Sequence, residues 1–159
     1  MSKNVELATF GAGCFWSVEA RFRELKGVLE ATSGYMGGQS QPNYQAVCTG
    51  TTGHAEVVQV QFDPEQVGYE TLLALFFKMH NPTTLNRQGP DIGSQYRSVV
   101  FYHSANQESV AQQAIAEIDE SGRWQQPVVT QVQAAEPFWP AEEYHQRYLE
   151  KHGLGFCSL

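Results

Sequence analysis

Cysteine is scarce in this 159-residue chain, with only Cys14, Cys48 and Cys157. Three is too few and too odd for a disulfide scaffold, and no two stand at C-x-x-C spacing, so a zinc knuckle and a thioredoxin-type redox pair are excluded. Positive charge is short as well: 10 Lys and Arg face 17 Asp and Glu, a formal charge of −7. Nucleic-acid and anionic-membrane binders need a basic face that this balance does not supply, so neither partner is expected. No run of about 18 apolar residues occurs, and none would span a bilayer as a helix. The opening MSKNVELATFG has neither the apolar stretch nor the cleavage site of a secretory signal, so a cytoplasmic location is expected. The five histidines show no H-x-x-x-H pairing, and no metal site is expected. His54-x-Glu56 matches half of a zinc-deaminase signature, but the P-C-x-x-C half does not follow. Internal repeats, low-complexity tracts and charged linkers are all lacking. One catalytic domain over 1–159 is expected, its last residues, 152–159, a glycine-hinged mobile tail.

What the chain does have is alternation of strand-like and helix-like segments, with 42% hydrophobic residues to build a core. A strand is expected at Val5 to Phe10, then a helix, because Phe15, Val18, Phe22 and Leu25 recur at helical spacing. Glu19 and Arg23 add an i,i+4 pair on another face, and Gly27 is a stop signal. A second strand is expected from Val28 to Tyr35 and a third from His54 to Phe62. In the third, Val58, Val60 and Phe62 alternate with Gln59 and Gln61, so the even positions face the core, and Glu56 shares their parity. Asp63-Pro64 turns into a helix carrying Tyr69, Leu72, Leu73, Phe76 and Met79, which Asn81-Pro82 ends. The stretch 81–95 has no period, as functional loops often do not. A fourth strand is expected from Tyr96 to His103. Ser104 and Gln107 have capping-box spacing for a helix with Ala111, Ala114, Ile115 and Ile118, which Gly122 closes. A short fifth strand is expected at Val128 to Val132, and Pro140 suits the first turn of a last helix with Tyr144, Tyr148 and Leu149.

This order reads as two split βαβ units, and the expected fold is α+β: a two-layer sandwich with a mixed sheet, a ferredoxin-like core and long functional loops. A doubly wound parallel sheet is the alternative. Gly11-Ala-Gly13-Cys14 is no complete G-x-G-x-x-G or P-loop, so the nucleotide signal is weak.

Cys14 follows this Gly-x-Gly turn at an expected helix N-terminus, where unpaired N–H groups favour a thiolate over a thiol that otherwise titrates near about 8.5. The bland alternative is a sulfur packed behind the turn. Phe15 lies on the inner stripe of the helix and Trp16 does not; together they can form an apolar wall for a small methyl-bearing group. Glu56, on an apolar strand face, is desolvated, which raises its pKa and suits it to general acid work, unless Arg97, Arg87 or Arg21 neutralises it. Asp91 taken alone is a turn former. Tyr44 and Tyr96 either donate hydrogen bonds to a polar oxygen or pack half-buried. Cys157, a thiol near the chain end, has the layout of a resolving cysteine able to condense with a sulfenic acid, or is the frayed end of the chain. Cys48 reads as inert.

Several separate stretches resemble one family, the peptide-methionine (S)-S-oxide reductases. They are Gly13-Cys-Phe-Trp16, Gly34-Tyr-Met-Gly-Gly38, Tyr44-x-x-Val-Cys48 continuing to Gly53-His-Ala-Glu56, His80-Asn-Pro-Thr83, Asn86-Arg-Gln-Gly89, Asp91-x-Gly-x-Gln-Tyr-Arg-Ser98 and Gly155-Phe-Cys157. The resemblance implies reduction of methionine sulfoxide, free or in proteins, with no cofactor. In it Cys14 attacks the sulfoxide sulfur, and Glu56 protonates the oxygen with help from Tyr44, Tyr96 and Asp91. Phe15 and Trp16 hold the substrate methyl. Cys157 then closes a disulfide with Cys14 that thioredoxin or a dithiol reduces. Asn81 departs from the family's usual Asp, which puts a loop contact in question. Three rival readings are a cysteine hydrolase with His54 as base, a methionine-binding module, and a peroxide sensor using Cys14 and Cys157.

Overall fold

A run of small and apolar residues, Leu7 to Ala12, cannot find a helical stripe and pairs instead as a central strand. The computed structural model of the chain describes residues 5–13, 15–38, 44–48, 52–89, 91–142 and 145–146. Strand β1 (Glu6–Ala12) leads to helix α1 (Phe15–Arg23), strand β2 (Val28–Met36), the short helix α2 (Tyr44–Cys48), strand β3 (Ala55–Phe62) and helix α3 (Tyr69–Lys78). There follow a small ribbon of β4 (Arg87–Gln88) and β5 (Asp91–Ile92), a 3-10 turn over Ser94–Tyr96, strand β6 (Ser98–Tyr102) and helix α4 (Ala105–Ser121). Strands β7 (Gln131–Ala134) and β8 (Trp139–Pro140) complete the elements.

The main sheet has the order β7-β6-β1-β3-β2-β8. β1 pairs antiparallel with β3 and β6, β2 pairs antiparallel with β3 and β8, and β6 pairs parallel with β7. The sheet is therefore mixed, and the fold is α+β. In the two βαβ units, β1-α1-β2 and β3-α3-β6, a strand of the other unit lies between the two parallel strands, which is the split arrangement. The doubly wound alternative fails because β1 and β3 take antiparallel neighbours on both edges.

Helices cover one sheet face. Phe10, Phe15, Phe22, Val58, Val60, Phe62, Leu72 and Phe76 make that core, and each is essentially inaccessible to water. The opposite parity builds a smaller cluster of Met36, Ala55, Val57, Val99 and Phe101, covered by Ala135 and Phe138. The crossing is close: a Cβ on Gly34 would lie 2.5 Å from the Trp139 carbonyl oxygen and 2.5 Å from the Phe138 ring. Gly34→Ala therefore pushes β8 off the sheet. We expect a loss of about 1–3 kcal/mol, the usual cost of overpacking, in urea unfolding; an unchanged midpoint would contradict this packing.

Several expected boundaries move, each for a local reason. The strand expected from Tyr96 starts at Ser98, because the Tyr96 and Arg97 amides donate back to Gly93 and Ser94. The strand expected at Val128 to Val132 is shifted to Gln131–Ala134. The Val128 amide is taken by the Asp119 carboxylate at 2.8 Å and the Val129 amide by the Pro82 carbonyl at 2.8 Å. Pro140, expected in the first turn of a helix, ends edge strand β8, where its missing N–H costs no ladder bond. Of that expected helix, Tyr144, Tyr148 and Leu149 lie outside the described residues, as does the tail 152–159. The aperiodic stretch 81–95 contains the β4–β5 ribbon.

Caps and pairs hold as read, with two refinements. Ser104 accepts the Gln107 amide at 3.2 Å, and Gly122 closes α4 in the left-handed conformation. Gln107 returns its Oε1 to the His103 amide, one residue before the cap. Arg23 pairs with Glu19 at 2.9 Å, but Glu19 is buried and also accepts the Ser33 hydroxyl. Asn81 Oδ1 accepts the Thr83 amide at 2.9 Å, a contact an aspartate oxygen would make equally. No helix among the described residues is long and apolar enough to cross a membrane.

Candidate active site

Period two along β3 puts Glu56 on the helix-covered face with Val58, Val60 and Phe62. There the N-terminus of α1 meets it. The Phe15 amide donates to Glu56 Oε1 at 3.3 Å. Glu56 is 2% exposed, and its Oε2 has no hydrogen-bond partner among the described residues. Burial pushes its pKa from 4.5 up to about 8; the Phe15 N–H opposes the rise, and the charge of Asp91 adds to it. The carboxyl is therefore protonated at neutral pH. Neither Arg97 nor Arg87, two of the three arginines that could neutralise it, takes that place. Arg97 donates to the Gly53 and Ser94 carbonyls and to Gln131, and Arg87 donates to the Gly89 carbonyl.

The close approach depends on glycine. A Cβ on Gly11 would sit 2.7 Å from Val99 Cγ1 and 3.2 Å from the Glu56 carbonyl oxygen. Gly13 has φ +94°, which disfavours any side chain. Cys14 itself lies outside the described residues, between Gly13 and Phe15.

Beside the carboxyl is an aromatic group. The buried Phe15 ring lies 5.7 Å from Tyr35, 6.4 Å from Tyr44 and 5.3 Å from His145, centroid to centroid. Half-buried Trp16 lies 6.4 Å from Tyr44 and 5.6 Å from His145, and Tyr44 lies 4.2 Å from His145. Trp16 Nε1–H donates to His145 Nδ1 at 3.0 Å, which fixes that nitrogen as an acceptor. Burial lowers the His145 pKa, opposed by the nearby Glu142 charge. Glu142 accepts the Tyr35 hydroxyl at 2.9 Å and the Tyr44 amide at 2.9 Å. Burial acts to raise the Glu142 pKa, but these bonds and the His145 contact outweigh it and the net shift is downward.

Phe15, Trp16, Tyr44 and Glu56 are thus brought into one neighbourhood. Asp91, half-buried on β5, acts on Glu56 through its charge. Half-buried Tyr96 stands on the 3-10 turn packed against β3. Cys157 lies outside the described residues, and the side chain of Cys48 is not described. His54 is buried, its Nδ1 accepting the Gly38 amide at 3.0 Å. Sequence reasoning missed Tyr35, Glu142 and His145. Tyr35 stands inside the Gly34-Tyr-Met motif, which was a usable signal; Glu142 had none. His145 was weighed only as a metal ligand, and among the described residues no three His, Cys, Asp or Glu are grouped to hold a metal. A cavity of about 520 Å³ lies elsewhere, between α3 and α4, lined by Leu73, Phe77, Val110 and Ile118 among others.

A carboxyl that burial keeps protonated, in an apolar, aromatic-walled setting and hydrogen-bonded by the residue that follows Cys14 in the sequence, fits the class of thiol-and-acid oxidoreductases. Comparison with known proteins gives the same class. The family model described as peptide methionine sulfoxide reductase matches residues 6–159. The "Peptide methionine sulfoxide reductase MsrA" of Acidobacterium capsulatum is 58% identical over 96% of this chain and 98% of its own length. The reduced form of Mxr1 from Saccharomyces cerevisiae superposes with a TM-score of 0.90 at 34% identity, covering 98% of this chain and 92% of that one. Methionine sulfoxide reductase A of Corynebacterium diphtheriae gives 0.85 at 32% identity, over 98% and 79%. The chain belongs to the peptide methionine sulfoxide reductase family.

Proposed function

We propose that this protein reduces the S epimer of methionine sulfoxide, free or in proteins, to methionine, and thereby repairs oxidised proteins. The observation that carries the reading is the Glu56 carboxyl, protonated to about pH 8 and 3.3 Å from the amide of the residue after Cys14. A sulfoxide oxygen leaves poorly until it is protonated, so thiolate attack needs an acid that still holds its proton at neutral pH. Glu56 is such an acid. Tyr44 and Tyr96 donate hydrogen bonds to the same oxygen, and Asp91 helps keep the proton on Glu56. Phe15 and Trp16 wall the substrate's terminal methyl.

In the first half-reaction the Cys14 thiolate attacks the sulfoxide sulfur and Glu56 gives its proton to the oxygen. The oxygen ends on Cys14 as a sulfenic acid and methionine departs. Cys14 sulfur loses two electrons and the substrate sulfur gains them. Cys157 thiol then displaces water from the sulfenic acid, forming the Cys14–Cys157 disulfide. A thioredoxin dithiol takes up that disulfide by exchange, restoring both thiols. No metal or organic cofactor enters these steps.

The hydrolase reading, with His54 as base, loses support because His54 Nδ1 already accepts the Gly38 amide, and a Cβ on Gly38 would fall 2.3 Å from its ring. The deciding experiment is mass spectrometry of the reduced protein mixed with racemic methionine sulfoxide, without other reductant. We expect one equivalent of methionine, consumption of the S epimer alone and a peptide pair joined through Cys14 and Cys157. Sulfoxide left untouched, or a disulfide formed with peroxide but never with sulfoxide, would refute the proposal.

A further inference from the structure

Gln88 has no place in the chemistry above, yet it is one of the most enclosed polar side chains of the aperiodic stretch, 2% exposed. Both ends of its amide are engaged by one residue. Oε1 accepts the Asn81 amide at 3.0 Å, and Nε2 donates to the Asn81 carbonyl and, at 3.3 Å, to the Thr84 hydroxyl. This double clamp fixes the plane of the amide and hence the direction of the stem that carries it. The stem in turn faces Gly13. A Cβ added to Gly13 would fall 2.9 Å from Gln88 Cβ and 3.0 Å from its Cγ. Gly13, at φ +94°, immediately precedes Cys14.

The backbone of Gln88 has a second connection. In the β4–β5 ribbon Gln88 is the register partner of Asp91, whose charge acts on Glu56. The ribbon is closed by the Gly93 amide donating to the Asn86 carbonyl at 2.8 Å. One residue thus touches the turn entering Cys14 through its side chain and the carrier of Asp91 through its backbone.

We propose that Gln88 is a positioning residue for the sulfoxide-reducing step, holding the Gly13 turn in register with the Asp91 ribbon so that Cys14 and the Glu56 acid meet the substrate together. The inference rests on the function proposed above. Misplacement of a reacting group by about 1 Å costs on the order of 100-fold. Gln88→Ala should therefore lower kcat about 10- to 100-fold while KM changes by less than about threefold, since the aromatic wall is untouched.

A merely structural role is separated by two readouts. The first is the pH profile of Cys14 alkylation by iodoacetamide, followed on the Cys14 peptide. It should shift in Gln88→Ala and stay at wild type in Gln107→Ala. Gln107 is another 2%-exposed glutamine that donates to the Leu7 carbonyl at 2.7 Å, remote in the fold from Gly13. The second is Gln88→Glu, which keeps the size of the side chain. Its protonated acid can accept the Asn81 amide and donate to the Asn81 carbonyl, whereas its carboxylate cannot donate. The turnover of Gln88→Glu relative to wild type should rise as pH falls from 8 to 5. If Gln88→Ala does not fold, this ratio alone decides. An unshifted alkylation profile in Gln88→Ala, or a Gln88→Glu ratio flat with pH, would overturn the proposal. The alkylation readout needs no sulfoxide, so it stands even where the wild-type protein fails to reduce sulfoxide and the function itself is refuted.

Discussion

Glu56→Gln slows methionine formation in a single turnover by about two to four orders of magnitude, the span typical of a lost general acid, while sulfoxide binding changes little. The amide keeps the volume and lack of charge of the protonated carboxyl, and its oxygen can still accept the Phe15 amide. Only the transferable proton is removed. The wild-type rate should fall as pH rises through about 8, where Glu56 ionises, and the variant should lack that limb. The same substitution should stabilise the fold at alkaline pH. Glu56 binds its proton with a pKa of about 8 when folded and 4.5 as an ordinary carboxyl. Between these values the folded state holds a proton that the unfolded state has released. Stability is therefore full below pH 4.5 and declines as pH rises toward 8. The decline amounts to roughly 5 kcal/mol at 1.36 kcal/mol per pH unit, an order-of-magnitude figure. Glutamine has no proton to release, so the variant should be the more stable protein at pH 8. Urea unfolding across pH 5–9 checks both halves. Parallel stability curves for the two proteins would remove the buried, uncompensated acid from the account.

That acid was legible in the sequence because a strand has a period of two. Val58, Val60 and Phe62 set the buried parity, and Glu56 falls on it without any knowledge of the rest of the chain. The stripe of Phe15, Val18 and Phe22 fixed the first helix in the same local way. The aromatic surroundings were only half legible. Phe15 and Trp16 follow Cys14 directly, but the groups that hold Trp16 and Tyr44 come from residues 142 and 145, more than ninety positions along the chain. A hydrogen bond from Trp16 to His145 leaves no periodic trace in either segment. Pro140 shows the opposite failure. Its fixed φ suits a first helical turn and an edge strand alike, and only the presence of β2 beside it decides. The strand expected at Val128 moved because side-chain and loop acceptors, Asp119 and Pro82, took its first two amides. Such competition is tertiary, and apolar spacing carries no information about it.

Replacement of the two outer cysteines has the other large effect, and the pair of results orders the steps. Cys14→Ser should abolish methionine formation, since a serine hydroxyl is scarcely ionised near neutral pH and has no sulfenic acid state to receive the oxygen. Cys157→Ser should release one equivalent of methionine at the wild-type rate and then stall with thioredoxin as reductant. The reason is concentration. A thiol on the same chain attacks the sulfenic acid at an effective concentration on the order of millimolar, so thioredoxin at about 10 μM, acting alone, should be slower by roughly 100-fold. The stalled protein should carry one oxygen on the Cys14 peptide, which a sulfenic-acid trap such as dimedone captures. Undiminished steady turnover of Cys157→Ser with thioredoxin would exclude Cys157 as the resolving thiol while leaving the Cys14 and Glu56 step intact. Methionine formation by Cys14→Ser would undo both.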